Sequence, residues 1–77
     1  MANSNTAENL LHDVTVELVA KAKEAKLAAD SSGSDFDKGR QLALYEVVSL
    51  LIQQAVAFGL PLERIGAGGF DADRELL

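Results

Sequence analysis

His12 is the only histidine of this sequence, which makes it the first candidate for acid–base chemistry near neutral pH. A general base needs a nucleophile or an acid within hydrogen-bond reach. Asp13 adjoins His12 in the chain, but successive residues of a helix do not face each other. Glu8, one helical turn earlier, is placed to pair with the charged form of His12. We interpret His12 as a surface histidine and predict no catalytic residues and no enzymatic activity.

Acidic and hydroxyl side chains cluster in the first half of the chain and raise the question of a calcium site. The cluster consists of Asp30, Ser32, Ser34, Asp35 and Asp37. An EF-hand loop needs glycine at its sixth position and glutamate at its twelfth. Counted from Asp30, these positions hold Asp35 and Gln41 instead. Counted from Asp35, glutamate matches at Glu46 but the sixth position is Arg40. Helix capping explains the cluster better, so we predict no metal.

Residues 66–69 read GAGG, a glycine-rich stretch of the kind that can cradle a phosphate group. Phosphate-binding loops follow a strand and lead into a Gly-Lys-Ser/Thr sequence, and neither feature is present. We interpret the stretch as a flexible bend and predict no cofactor. The acidic residues that follow it are interpreted as part of a solvated tail: Asp71, Asp73 and Glu75.

The composition favours some partners over others. The net charge is −5 and the isoelectric point is about 4.6. An acidic chain is poorly suited to nucleic acid or to an anionic membrane surface, so we predict neither as a partner. The first residues, MANSNTAENLL, lack the basic start and apolar core of a signal peptide. No apolar run reaches the roughly 18 residues of a spanning helix, and we therefore expect a cytoplasmic protein.

Two helical segments and a tail organise the chain. Residues 1–5 are small and polar and are predicted to be disordered, with Asn5 and Glu8 as a capping pair. Apolar residues then recur at helical spacing, which predicts a helix over about 6–29. Ser34 is placed to cap a second helix over about 35–58, which Gly59 should end. The short connection makes residues 6–60 an antiparallel hairpin, and residues 61–77 form a Gly-containing acidic tail with short helical turns.

The second helix carries more apolar surface than one neighbour can cover. In the stretch YEVVSLLIQQAVAFGLP, residues 45–61, the polar side chains Glu46, Ser49 and Gln53 form one narrow stripe. The apolar arc opposite spans about 160°, wider than the roughly 100° of an ordinary surface helix. We predict an all-α fold in which two hairpins dimerise into a four-helix bundle; the alternative is a monomer whose tail covers the second face. The predicted dimer or core interface comprises Leu44, Val47, Val48, Leu51, Ile52, Ala55 and Phe58.

The short length of the chain and the glycine at position 39 support the same architecture. A chain of 77 residues buries only about 60% of its unfolded surface, and this one contains no cysteine for disulfides. Oligomerisation is the remaining means of stabilisation. Gly39 costs about 1 kcal/mol relative to alanine inside a helix. We interpret Gly39 as a site of close approach to Ala25, Ala28 or Ala29, with simple exposure as the alternative.

Residues 35–77 contain four short motifs: Lys38-Gly39-Arg40, Tyr45-Glu46-Val47, Phe58-Gly59-Leu60 and the GFD-x-D-x-x-LL sequence from Gly69 to Leu77. Together these motifs resemble those of a set of small, uncharacterised bacterial proteins. The resemblance covers somewhat more than half of the chain. It implies a bacterial cytoplasmic protein and no particular reaction chemistry.

These observations predict a non-enzymatic, dimeric helical module that binds another protein. The site for that other protein would be a groove of the bundle or the tail. The candidate partner-binding residues of the tail are Phe70, Asp71, Asp73, Leu76 and Leu77. The alternative is an acidic regulator that competes with nucleic acid for a DNA-binding protein. Apolar binding should be insensitive to salt, whereas the acidic competitor should lose affinity steeply as salt rises.

Overall fold

The computed structural model describes residues 6–77 and is all-helical over that range. Helix α1 spans Thr6–Ser32, α2 spans Asp35–Ala57, a 3₁₀ turn covers Leu62–Ile65, and a short helix α3 covers Ala72–Leu76. The all-α class, the helical hairpin and the short C-terminal helix are thereby confirmed. The predicted disorder of residues 1–5 and the capping role of Asn5 lie outside the described residues.

The connection between α1 and α2 is built from the acidic and hydroxyl cluster. The Ser34 hydroxyl accepts a hydrogen bond from the backbone N–H of Asp37 at 3.1 Å, which caps α2. The Ser32 hydroxyl donates to the Asp37 carboxylate at 2.5 Å. Helix α1 continues to Ser32, three residues beyond the predicted end, and Gly33 then turns the chain with a left-handed φ of 63°. The cluster therefore serves the hairpin turn.

The segment after α2 folds back onto the hairpin and supplies part of its core. The Asp71 carboxylate caps α3 by accepting from the backbone N–H of Arg74 at 3.2 Å. Ile65 and Leu76 are completely buried, and Ala67 is almost so. Two core clusters result, each joining the tail to the hairpin: Ala22 and Val48 with Leu76, and Ala55 with Ile65 and Ala67.

Polar contacts hold the tail along its whole length. Arg64 binds the Glu8 carboxylate through two hydrogen bonds of 2.6 and 3.1 Å. The side-chain amide of Gln41 donates to the carbonyl oxygen of Leu76 at 2.8 Å. Near the end of α1, Lys26 donates to the carbonyl oxygen of Leu77 at 3.1 Å. The tail is thus fixed to both helices, at both ends of the hairpin.

The predicted close approach at Gly39 is wrong. A Cβ atom at this position would meet nothing within 4 Å, and Gly39 is exposed. The small residues of α1 do face α2, since Ala22, Ala25 and Ala29 are all buried. Gly39, however, lies about 180° around α2 from Val48, which is the centre of the buried side. The glycine is therefore a tolerated surface residue.

Candidate interaction surface

The path of the tail divides the hairpin into a covered side and an open side. On α1 the tail contacts a stripe of residues at steps of three, four and seven: Glu8, His12, Val16, Lys23 and Lys26. On α2 it contacts Gln41 and Tyr45. Residues two positions away from these lie about 160–200° around each helix. Leu10 and Val14 on α1, and Val47 on α2, therefore face the opposite way.

We call this uncovered side the open face. It is formed by one stripe of α1 and one stripe of α2. The α1 stripe consists of Leu10, Val14, Glu17, Lys21 and Ala28. The α2 stripe consists of Phe36, Arg40, Leu44, Val47, Leu51, Gln54 and Phe58.

The α2 stripe of the open face has an aromatic residue at each end. Phe36, Val47 and Phe58 are spaced eleven residues apart, which is three helical turns with a drift of only about 20° per step. These three side chains are 79%, 45% and 83% exposed, respectively. Arg40 is the only charged residue of the stripe. A line of large apolar groups about 33 Å long therefore remains outside the core.

A groove lies beside Phe58, at the end of the hairpin where α1 begins. It has a volume of about 210 Å³ and is lined by Leu11, Leu51, Gln54, Ala55, Phe58 and Leu60. Gln54 is the only polar residue of this lining. Leu11 comes from α1 and Leu60 from the connection to the tail, so three segments of the chain form the walls. The groove is suited to an apolar side chain.

The seven predicted interface residues divide between the core and the open face. Val48 and Ala55 are buried against the tail, and Ile52 packs partly buried against the same core. Leu44 and Leu51 are half-buried at the edge of the open face, whereas Val47 and Phe58 project from it. The tail therefore covers one half of the wide apolar arc and leaves the other half uncovered.

Sequence reasoning did not single out some residues of the open face. Leu10 and Val14 are 65% and 42% exposed, and Phe36 is among the most exposed apolar residues. The eleven-residue spacing from Phe36 through Val47 to Phe58 was the available signal. The contributions of Leu11 and Leu60 to the groove had no such signal, because they depend on how the chain returns after α2.

The predicted partner-binding residues of the tail have different roles in the structure. Leu76 is fully buried in the core of its own chain and Phe70 is partly buried, whereas Leu77 is 53% exposed. Asp71 caps α3, and Asp73 accepts a hydrogen bond from Tyr45. In this arrangement the tail is bound to the hairpin, and Leu76 is not accessible to a partner.

Charged and aromatic groups also meet where the tail crosses α1. The ammonium group of Lys23 lies 5.5 Å from the centre of the Phe70 ring, within cation–π range. The same ammonium group is 3.8 Å from a Glu75 carboxylate oxygen. All three acidic tail residues that were interpreted as solvated are thus engaged within the chain: Asp71 caps α3, Asp73 accepts from Tyr45, and Glu75 also accepts from the Asp71 N–H at 3.0 Å.

The polar stripe of α2 is only partly solvent-exposed. Glu46 and Gln53 are exposed, as expected of an outer face. Ser49 instead has a buried hydroxyl oxygen. It lines a second groove of about 230 Å³ between α2 and the tail, together with Ile52, Gln53, Phe70, Asp71, Ala72 and Asp73. Two of the three residues of the polar stripe, Ser49 and Gln53, therefore border the groove beside the tail.

The hydrogen bond between Tyr45 and Asp73 gives a spectroscopic test of tail docking. Because the neutral phenol donates to Asp73, this contact raises the pKa of Tyr45 above its ordinary value of about 10. A raised pKa in the folded state stabilises the fold below pH 10, and that contribution is lost as the pH rises through the folded-state pKa. Tyr45 is the only tyrosine and tryptophan is absent, so absorbance at 295 nm reports this group alone.

We expect the absorbance titration of the native protein to have its midpoint above that of free tyrosine. Asp73→Asn should move the midpoint down towards about 10, because the main cause of the raised pKa is removed. Asp13→Asn, on the first half of α1, is the matched control and should leave the midpoint unchanged. A native midpoint equal to that of the Asp73 variant would contradict the docked position of the tail.

Other kinds of site find little support in the described part of the chain. Within residues 6–77, no group of three or more histidine, aspartate or glutamate side chains is arranged to hold a metal ion. None of the helices in that range combines the length and the apolar character needed to cross a membrane.

Comparison with known proteins leaves the open face as the basis for any functional conclusion. No protein-family model, curated protein or solved structure matches this chain. The resemblance in residues 35–77 to small bacterial proteins therefore stays a prediction. The feature that distinguishes this chain is the hairpin whose tail covers one side and leaves a line of large apolar side chains on the other.

Proposed function

We propose that this protein is a non-enzymatic helical module that pairs with a second copy of itself and binds another protein. The observation that carries the proposal is the exposure of Phe36, Val47 and Phe58 in one line on the open face. Large apolar side chains exposed together on one face mark an interaction site. Burying a side chain of this size contributes about 1.5–3 kcal/mol, which gives the open face a strong tendency to be covered.

A second copy is the simplest cover for the open face. Two identical surfaces related by a twofold axis cover each other's apolar side chains. The product is a four-helix bundle in which the open faces form the central layer and the tails lie outside. This arrangement also supplies the additional burial that a 77-residue chain lacks.

The groove between α2 and the tail is the candidate contact for the second, different protein partner. It remains accessible in such a bundle because it lies on the covered side of the hairpin. Its apolar lining consists of Ile52, the Phe70 ring and Ala72. An apolar side chain of the partner would suit this lining.

The acidic-regulator alternative is supported less well. A nucleic-acid competitor would present free carboxylates to its target. The acids of the tail are instead engaged within the chain: Asp71 caps α3, Asp73 accepts from Tyr45, and Glu75 pairs with Lys23. Salt dependence separates the two functions, since apolar contact is insensitive to salt and acidic mimicry is not.

Sedimentation equilibrium tests self-association. At micromolar concentration we expect a mass of about 16 kDa, twice the 8.2 kDa of one chain. Val47→Glu should give a folded monomer, because a charge in the centre of the open face would be buried without a partner. Leu42→Glu is the matched control, since Leu42 is 51% exposed on the same helix but lies about 140° away from Val47. The control should remain dimeric.

A compact native monomer would contradict the proposed self-association. Loss of the dimer in both variants would place the contact elsewhere on α2. Far-ultraviolet circular dichroism, recorded on each variant, separates loss of association from loss of helix.

A further inference from the structure

We infer that the second copy binds with its α2 antiparallel to α2 of the first, about a twofold axis at Val47, and inserts Phe36 into the groove beside Phe58. This inference rests on the proposed self-association and adds the register of the pair and the residue that each copy contributes to the other. Three independent observations support it.

The spacing of the α2 stripe is symmetric about Val47. Phe36 precedes Val47 by eleven residues and Phe58 follows it by eleven, so each ring lies about 16 Å from the centre. A twofold axis through Val47 therefore brings Phe36 of one copy level with Phe58 of the other. By symmetry the same contact forms twice, once at each end of the bundle.

The groove beside Phe58 has the size and chemistry that an aromatic ring requires. Its volume is about 210 Å³ and its walls are almost entirely apolar. An apolar cavity of about 150 Å³ is already large enough to bind benzene. Phe36 is 79% exposed in its own chain and lies eleven residues before Val47, while the α2 residues that line the groove lie four to eleven residues after it. The side chains beside Phe36 leave the ring free to insert, since Asp37 is turned into the cap of α2.

The α1 stripe of the open face is self-complementary in the same antiparallel arrangement. It begins with a large exposed residue, Leu10, and it ends with a small one, Ala28. Reversing one copy places Leu10 over Ala28.

The charged middle of the α1 stripe fits the same reversal. Glu17 of one copy comes to lie near Lys21 of the other, so opposite charges meet twice. Both size and charge of the α1 stripe are therefore matched by a second copy in the reversed orientation.

The stripes of α1 and α2 also place the twofold axis at the same level along the hairpin. The pairings of the α1 stripe, Leu10 with Ala28 and Glu17 with Lys21, are centred at residue 19. Because α1 ends at Ser32 and α2 begins at Asp35, Val47 is level with about residue 20 of α1. One twofold axis thus satisfies both stripes, although the two patterns are independent in sequence.

The absence of cysteine makes disulfide cross-linking a clean test of the register. A disulfide forms when two Cα atoms are about 4.4–6.8 Å apart. Val47→Cys, on the axis, should therefore form a covalent dimer on mild oxidation. Phe36→Cys and Phe58→Cys should each stay monomeric on a non-reducing gel when oxidised alone, and should cross-link when the two variants are mixed. Leu42→Cys is the control and should not cross-link.

The outcomes distinguish the register from the self-association on which it rests. Cross-linking of Val47→Cys together with cross-linking in the Phe36→Cys and Phe58→Cys mixture supports the inference. A dimer by sedimentation in which Val47→Cys does not cross-link, or in which Phe36→Cys cross-links to itself, overturns the register alone. A native chain that sediments as a monomer overturns both the register and the proposed self-association.

Discussion

Leu76→Ala is expected to lower the free energy of unfolding by about 2–5 kcal/mol. Leu76 is completely buried, and it packs in one cluster with Ala22 from α1 and Val48 from α2. Truncating it removes apolar contacts with both long helices and leaves a cavity that rigid helices cannot fill. Urea denaturation at a fixed protein concentration measures the change.

Leu77→Ala is the matched control for this substitution. Leu77 is the next residue in the chain and is 53% exposed, so its truncation should change stability by no more than about 0.5 kcal/mol. Equal effects of the two substitutions would mean that the tail does not dock in the position described. A loss of several kcal/mol at Leu76 alone would show that α3 is part of the core.

Local signals in the sequence were sufficient to define the helical elements. Ser34 offers a hydroxyl at the start of α2, and Gly59 offers the left-handed conformation just after its end, with a φ of 70°. Each signal acts through hydrogen bonds to residues within four positions, so it can be recognised without knowledge of the fold. The capping of α3 by Asp71 was predictable for the same reason.

Pairing between distant segments was not accessible in the same way. Periodicity shows that Val48 and Val47 belong to an apolar arc, but it does not show that the tail covers one and leaves the other open. Gly39 illustrates the same limit, because a small residue at a helix surface looks identical whether a neighbour approaches it or not. Which side of α2 is covered depends on the path of the chain after Gly59. The glycine-rich residues 66–69 are compatible with many paths, so the sequence does not specify this one.

Docking of the tail and availability of the open face are linked by this geometry. The tail covers the side of α2 that carries Tyr45, and α2 presents Val47 to the opposite side. A detached tail would expose a second apolar strip and create a second surface for association. The contacts of Arg64 with Glu8 and of Gln41 with Leu76 therefore favour a single face for pairing by holding the tail in place.

Ala22→Leu is expected to destabilise the protein by about 1–3 kcal/mol. Ala22 is 2% exposed and lies against Leu76 and Val48 in the core cluster. The added methyl groups have no free volume to occupy, so α3 must shift outward or the leucine must adopt a strained rotamer. Urea denaturation of the single variant measures the cost.

The double variant Ala22→Leu with Leu76→Ala should be more stable than the sum of the two single effects predicts. The new leucine enters, from the α1 side, the cavity that the truncated Leu76 leaves. Ala22→Leu therefore fills the cavity of Leu76→Ala, and Leu76→Ala relieves the overpacking of Ala22→Leu. Residues in contact show such coupling energies of about 0.5–3 kcal/mol. Ala22→Leu combined with Ile65→Ala is the control, because Ile65 belongs to the other core cluster and the two effects should add within about 0.5 kcal/mol. Additive effects in the Leu76 pair would contradict the contact between α1 and α3, and coupling confined to that pair would locate α3 against α1.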